Sequence, residues 1–240
     1  MCISPLPTAL ITGASRGLGK AAAKLFANSG WDLLLVARSE NDLQALVDDL
    51  EDTGSKIRYK SLDLSVPDSI APGINDLLSK GPAPSVLINN AGVAWTGDLL
   101  SMPLKSWQWL VQINLTSIFQ VCSVVVPSMR AQGGLVVNVS SHAARNAFPQ
   151  WGAYCTSKAA LASFTKCLAE EERKYSIRAC TLTLGSVNTT LWETDSVQGD
   201  FDRSAMLSVE QAASALIYLA EQPPSQVIED LTLMPAAGAF

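Results

Sequence analysis

The chain has 240 residues with 17 basic against 22 acidic side chains, a formal charge of −5. That balance offers no broad attraction to nucleic acid or to an anionic membrane surface, so polyanion binders are set aside. Hydrophobic residues make up 48% and charged residues 16%, which excludes a disordered chain and allows a sizeable core.

The first segment, MCISPLPTALITG, carries no charged leader region and runs directly into glycines, unlike a secretory signal. Short apolar runs then alternate with helical patterns. Strands are expected over Thr8–Ile11, Trp31–Ala37, Ile57–Lys60, Ser85–Asn89, Gly134–Val139, Ile177–Leu184 and Ile228–Met234. Helices are expected over Gly17–Asn28, Glu40–Asp52, Ser69–Ser79, Lys105–Ala131, Ala153–Tyr175 and Val209–Glu221. Continuous apolar runs suit strands buried on both faces, and parallel strands need crossover helices. The alternation therefore predicts an α/β fold: a single-domain, Rossmann-type, doubly wound parallel sheet of about seven strands with helices on both faces.

No apolar run is expected to reach the roughly 18 residues of a membrane span, because Val111–Pro127 is interrupted by Gln112, Asn114 and Gln120. With no repeat or linker, residues 1–240 read as one domain, and the protein is expected to be cytoplasmic. The segment Gly185–Leu207 has no clear period and exceeds most connections in length. Its place after the sixth strand, on the carboxyl side of the sheet, marks it as a lid over a ligand.

Five cysteines, Cys2, Cys122, Cys155, Cys167 and Cys180, form no CxxC pair, and His142 is the one histidine. Neither a disulfide framework nor a zinc site is expected, and the cysteines read as small buried hydrophobes.

The first strand enters Thr12-Gly13-Ala14-Ser15-Arg16-Gly17-Leu18-Gly19. Glycines there let the backbone approach a pyrophosphate, whose charge suits the helix N-terminus; an ordinary tight turn is the bland alternative. Strand two ends in Val36-Ala37-Arg38, with no carboxylate for an adenosine ribose. Arg38, with Arg16, suits a 2′-phosphate, which points to NADP(H) over NAD; otherwise both arginines are solvated surface residues. Asp63, beside Leu64 after strand three, either accepts from an adenine amino group or caps a turn. Tyr154 and Lys158 are four apart at a helix start, so they share a face, and a nearby ammonium would lower the phenol's pKa. That spacing alone occurs on many helices.

Several motifs occur together in order. They are TGASRGLG at 12–19, Asn89-Asn90-Ala91-Gly92 after strand four, Asn114 within INLTS, Ser140-Ser141 after strand five, and Tyr154-Cys155-Thr156-Ser157-Lys158. Over essentially the whole chain this set resembles the short-chain dehydrogenase/reductase family, in particular its NADP-preferring carbonyl or 3-oxoacyl reductases. The resemblance implies Tyr154 as proton donor to a small-molecule carbonyl substrate and Lys158 as its modulator and ribose ligand. It implies Ser141, thirteen residues before Tyr154, as the substrate-orienting serine, with Ser140 as fallback, and Asn114 as holder of a relay water. Asn90, Ala91 and Gly92 would line the adenosine side, and Val187 and Thr189 the carboxamide side. The family's Pro-Gly-x-Val-x-Thr reads Leu184-Gly185-Ser186-Val187-Asn188-Thr189 here, so no proline ring fixes the loop start.

Trp95, His142, Phe148, Trp151 and Trp192 either line the substrate pocket or pack the loops. The two long helices resemble the family's dimer-forming pair, which implies a homodimer or homotetramer, with Trp107, Trp109 and Phe164 either in that interface or in the core. The competing reading is a catalytically silent NADP(H)-binding regulatory or scaffold protein.

Overall fold

A computed structural model describes residues 7–238; Cys2 and Phe240 lie outside them. Seven strands run β1 Thr8–Thr12, β2 Asp32–Ala37, β3 Ile57–Ser61, β4 Val86–Asn89, β5 Gly134–Ser141, β6 Ile177–Leu184 and β7 Asp230–Leu233. They form one sheet in the order β3-β2-β1-β4-β5-β6-β7, with every pairing parallel. This is the Rossmann-like arrangement that the alternation of runs predicts. The order reverses between β1 and β4, and in such sheets a ligand crevice opens there beyond the strand ends.

The helices are α1 Gly17–Asn28, α2 Glu40–Asp48, α3 Pro67–Leu78, α4 Leu104–Val111, α5 Ser117–Met129, α6 Gly152–Glu172 and α7 Val209–Ala220. Alternate strand residues feed two cores. Ile11, Leu33, Leu35, Ile88 and Val137 pack with Phe26 of α1, Leu43 and Leu46 of α2, and Leu216 of α7. Leu10, Leu34, Leu87 and Val136 pack with Ile70 and Ile74 of α3, Val121 and Val125 of α5, and Leu161 of α6. Each of these side chains is essentially removed from water, contributing about 1.5–3 kcal/mol.

Three expectations change. The helix expected over Glu40–Asp52 ends at Asp48 and restarts as a single 3-10 turn over Glu51–Thr53. The helix expected over Lys105–Ala131 is interrupted by a π-turn at Gln112–Thr116, where the Ser117 N–H reaches the Gln112 carbonyl and the Ser117 hydroxyl donates to Ile113 O (2.7 Å). The continuous stretch Leu104–Met129, 26 residues, is long and apolar enough to cross a membrane, contrary to the expectation from its polar interruptions; half of an apolar 18-residue window within it is buried in the fold. The polar residues that break the run therefore face protein groups. Gln112, for example, donates to Leu64 O and to Gln120.

The cysteines also divide. Cys122 and Cys180 are buried as expected, but Cys155 is half-buried and Cys167 is exposed on α6, so the small-hydrophobe reading does not extend to Cys167. All four are free thiols.

A cleft between a glycine turn and an aromatic roof

A cleft of about 640 Å³ runs across the carboxyl ends of the strands, in the size range of small-molecule sites. Its lining includes Gly13, Ser15, Arg16, Gly17, Leu18, Arg38, Asp63, Leu64, Asn90, Ala91 and Gly92 at one end. Ser140, Ser141, Tyr154, Lys158, Val187 and Thr189 line the other. The sequence-predicted residues are thus brought together, except Gly19 and Asn114, which stand behind the wall.

The first end is fixed by backbone geometry. Gly13 and Gly17 take positive φ angles of 68° and 51°, a region costly for residues with a Cβ. A Cβ on Gly19 would lie 2.2 Å from the Gly13 carbonyl oxygen, so Gly19 serves close packing under the turn. Thr12 and Asn90 lock this turn to β4. The Thr12 hydroxyl accepts the N–H groups of Asn90 and Ala91 (both 3.1 Å), and Asn90 Nδ2 donates to Thr12 O (2.9 Å). Asn90 thus acts through the turn it holds, and Thr12 joins the site without having drawn attention in the sequence beyond its place in the motif.

The residues suit a dinucleotide. Arg16 is the N-cap of α1, with no side chain capping the helix and no acidic residue in its first turn, so the orphan N–H donors and positive helix end favour an anion. Arg16 and Arg38 are exposed on the cleft, and among the described residues no carboxylate lies within ion-pair distance of either. Asp63 takes the turn role left open above: its Oδ1 accepts the Ser65 N–H (2.8 Å) while the residue still lines the cleft.

At the second end, α6 presents Tyr154 and Lys158 from successive turns. Lys158 is buried and its Nζ donates to Val139 O (2.9 Å). Desolvation pulls its pKa down from near 10.5 to about 8. Desolvation also pushes Tyr154 up to about 12, against a lowering contribution from its hydrogen bond with Ser141. The net direction expected, a lowered Tyr154 pKa, is therefore reversed by burial. The ammonium lies 5.7 Å from the ring centroid and is bonded to a carbonyl, and loss of water outweighs it.

Ser141 also accepts the Ala143 N–H (3.1 Å), while Ser140 is buried and donates towards Lys158 O (3.4 Å). Of the two serines, Ser141 is the one engaged with the phenol. Asn114, in the π-turn and fully buried, exchanges two hydrogen bonds of 2.9 Å with the Val93 backbone and donates to Ser157 Oγ (3.1 Å). Both Asn114 Oδ1 and Lys158 Nζ flank Gly92, whose Cβ position would stand 3.5 and 3.6 Å from them.

The roof is the segment 185–207. Leu184, where the family has proline, continues the β6 ladder opposite Ser141 and Leu233, and the Gly185 N–H bonds to Leu233 O (2.9 Å). Ladder pairing thus holds the loop start in place of a ring. A bridge between Val187 and Leu207 closes the base of the lid. The Arg203 guanidinium ties Asn188 Oδ1, Thr189 O and Glu193 together (2.7, 3.0 and 3.0 Å). Gln198 N donates to Thr96 Oγ1 (2.6 Å), tying the lid to the loop after β4. His142, Phe148, Trp151 and Trp192 line the cleft, whereas Trp95 does not and its ring packs against Gly97 instead. Phe201 joins them unpredicted, because the aperiodic lid gives no pattern from which to read its direction.

Comparison with known proteins agrees with this geometry. The family model for short chain dehydrogenases matches residues 7–198. The chain is 30% identical to 3-oxoacyl-acyl-carrier-protein reductase of Chlamydia muridarum, over 91% of this chain and 92% of that protein. It is 31% identical to the reductase of the same name from Vibrio cholerae, over 97% and 96%. Among solved structures, the alcohol dehydrogenase of Thermococcus sibiricus complexed with 5-hydroxy-NADP superposes with a TM-score of 0.89 at 26% identity, covering 97% of each chain. L-sorbose reductase of Gluconobacter frateurii, complexed with NADPH and L-sorbose, gives 0.86 at 25%, covering 98% of each. The chain belongs to the short-chain dehydrogenase family. It is an oxidoreductase acting between carbonyl and alcohol groups with a nicotinamide cofactor.

Proposed function

We propose that this protein reduces a ketone or 3-oxoacyl carbonyl with NADPH, with Tyr154 as the proton donor. The observation that carries the reading is one continuous cleft with Arg16 and Arg38 at one end and Ser141, Tyr154 and Lys158 at the other. Arg38 and Arg16 hold the 2′-phosphate that distinguishes NADP(H) from NAD(H), through charge-assisted hydrogen bonds. The reductases and NADP-bound structures among the relatives support that preference.

Bound NADPH supplies a hydride to the carbonyl carbon. The chain supplies the rest. Tyr154, held protonated by its high pKa, gives its proton to the carbonyl oxygen, and Ser141 donates a hydrogen bond to the same oxygen as charge develops. Lys158 stabilises the phenolate left behind and binds the ribose hydroxyls. Val139 O fixes where Lys158 stands, and Asn114, whose Oδ1 flanks Gly92 together with Lys158 Nζ, leads the proton path back to solvent. One carbonyl, one NADPH and one proton become one alcohol and one NADP+, and the same groups serve the reverse oxidation. Val187 and Thr189 flank the carboxamide side of the nucleotide. The protein works as a cytoplasmic homodimer or homotetramer paired through the α4–α5 and α6 helices.

The test is oxidation of NADPH and of NADH in parallel against a panel of diketones, 3-oxoacyl esters, ketones and aromatic aldehydes. Turnover with NADPH clearly ahead of NADH is the expected result. Tight NADPH binding with no turnover across the panel would transfer the case to a silent nucleotide-binding protein.

A further inference from the structure

The cleft mouth over Tyr154 has a chemistry of its own. The Trp151 ring stands edge-on to Tyr154 with centroids 5.6 Å apart, and lies 5.7 Å from Trp192 and 6.2 Å from Phe201; the last two are 4.6 Å from each other. All four line the cleft. The Trp192 indole N–H is committed to Val187 O (2.8 Å), so that side chain offers a ligand ring surface and not a donor.

Charge at this mouth is one-sided. The loops framing it, residues 93–103, 142–151 and 185–207, carry five carboxylates, Asp98, Glu193, Asp195, Asp200 and Asp202, against two arginines. Both arginines are already paired, Arg145 with Asp230 and Arg203 with Glu193. Asp195 and Asp200 are exposed and neither is a helix N-cap. The exposed cations of the cleft, Arg16 and Arg38, stand at the nucleotide end.

We propose that the substrate is an uncharged, compact carbonyl compound whose aryl or apolar body lies against Trp151, Trp192 and Phe201, and that the acidic lid selects against carbonyls presented on a phosphate-bearing carrier arm. The inference rests on the reductase reading of the site. A phosphate carried over the lid passes Asp195 and Asp200, exposed on the same segment as the cleft-lining Trp192 and Phe201, with no unpaired arginine or lysine on the three loops to receive it. Such like-charge juxtaposition slows encounter and weakens binding, and salt screens it.

The test compares kcat/KM for one acetoacetyl group offered as the neutral N-acetylcysteamine thioester and as the coenzyme A thioester. Wild type and the Asp195→Asn, Asp200→Asn double variant are measured at low and high ionic strength. Wild type should prefer the neutral thioester by about tenfold at low salt, a preference that shrinks with added salt. In the double variant the coenzyme A thioester should gain and the neutral one stay level. A merely structural disturbance of the lid would move both. In parallel, Trp192→Ala should lower kcat/KM for 1-phenyl-1,2-propanedione about tenfold more than it does for 2,3-butanedione. A wild-type rate with the coenzyme A thioester equal to or above the neutral one overturns the proposal, as does an equal change of both in the double variant. Calorimetric binding of the two thioesters to NADPH-loaded Tyr154→Phe reads the same preference without turnover. Preference kept there while wild type turns nothing over would overturn the reductase reading alone, and its absence there would overturn this one.

Discussion

The two ends of the cleft are built from different materials. At the glycine turn the walls are backbone: Thr12 and Asn90 clamp main-chain groups of β1 and β4, and Gly19 leaves no space for a methyl group. At the roof the walls are side chains: an arginine fork and two aromatic rings carried on a segment with no long helix or strand, met by Trp151 and Thr96 from neighbouring loops. A backbone-built floor accepts one ligand geometry and tolerates little sequence change. A side-chain roof can be exchanged residue by residue while the floor stays intact, which is how one fold serves many substrates.

The contrast predicts separable losses. Tyr154→Phe removes the proton donor between floor and roof, and kcat should fall about 10²–10⁴-fold while NADPH affinity, measured by calorimetry, stays within about twofold. An equal fall in affinity would mean that the two ends are not separable.

Lys158 gives the next largest effect, read through pH. Its pKa falls from near 10.5 unfolded to about 8 folded, so the unfolded chain binds the extra proton between those values and stability must rise with pH across that window. Denaturant titrations should show wild type gaining up to about 3 kcal/mol relative to Lys158→Met between pH 8 and 10.5. The same ionisation should make kcat/KM for NADPH decline above pH 8, since that ratio reports groups of the free enzyme.

At the floor, Arg38→Ala should weaken NADPH binding by about 10–100-fold, the worth of one charge-assisted contact, and leave NADH binding unchanged. Equal weakening of both nucleotides would remove Arg38 from the 2′-phosphate. The smallest effect belongs to the roof: Arg203→Met frees Asn188, Thr189 and Glu193 from one another. It should raise KM for the carbonyl substrate about threefold to tenfold at nearly unchanged NADPH affinity.

The same contrast explains what could be read from sequence. Short apolar strands bounded by glycine, proline and helical periods marked all seven strands, and the glycine turn was legible because its job is backbone conformation that glycine permits. The clamp between Thr12 and Asn90 was not, since it joins residues 78 apart that no local pattern connects. Nor was the π-turn that carries Asn114, because a single added residue per turn hardly disturbs an apolar period. Phe201 and the displacement of Trp95 from the cleft depend on how an aperiodic lid folds back. The Tyr154 pKa went the other way from its charge partner because burial, a tertiary property, dominates it.

The most direct test of the central claim follows the hydride itself. NADPH carrying deuterium at the transferable position is incubated with wild type and a diketone, and the alcohol product is analysed by mass spectrometry. One deuterium is expected on the former carbonyl carbon, with labelled product formed about 10²–10⁴-fold more slowly by Tyr154→Phe. Tight binding of NADPH by wild type with no label reaching any member of the carbonyl panel would contradict it.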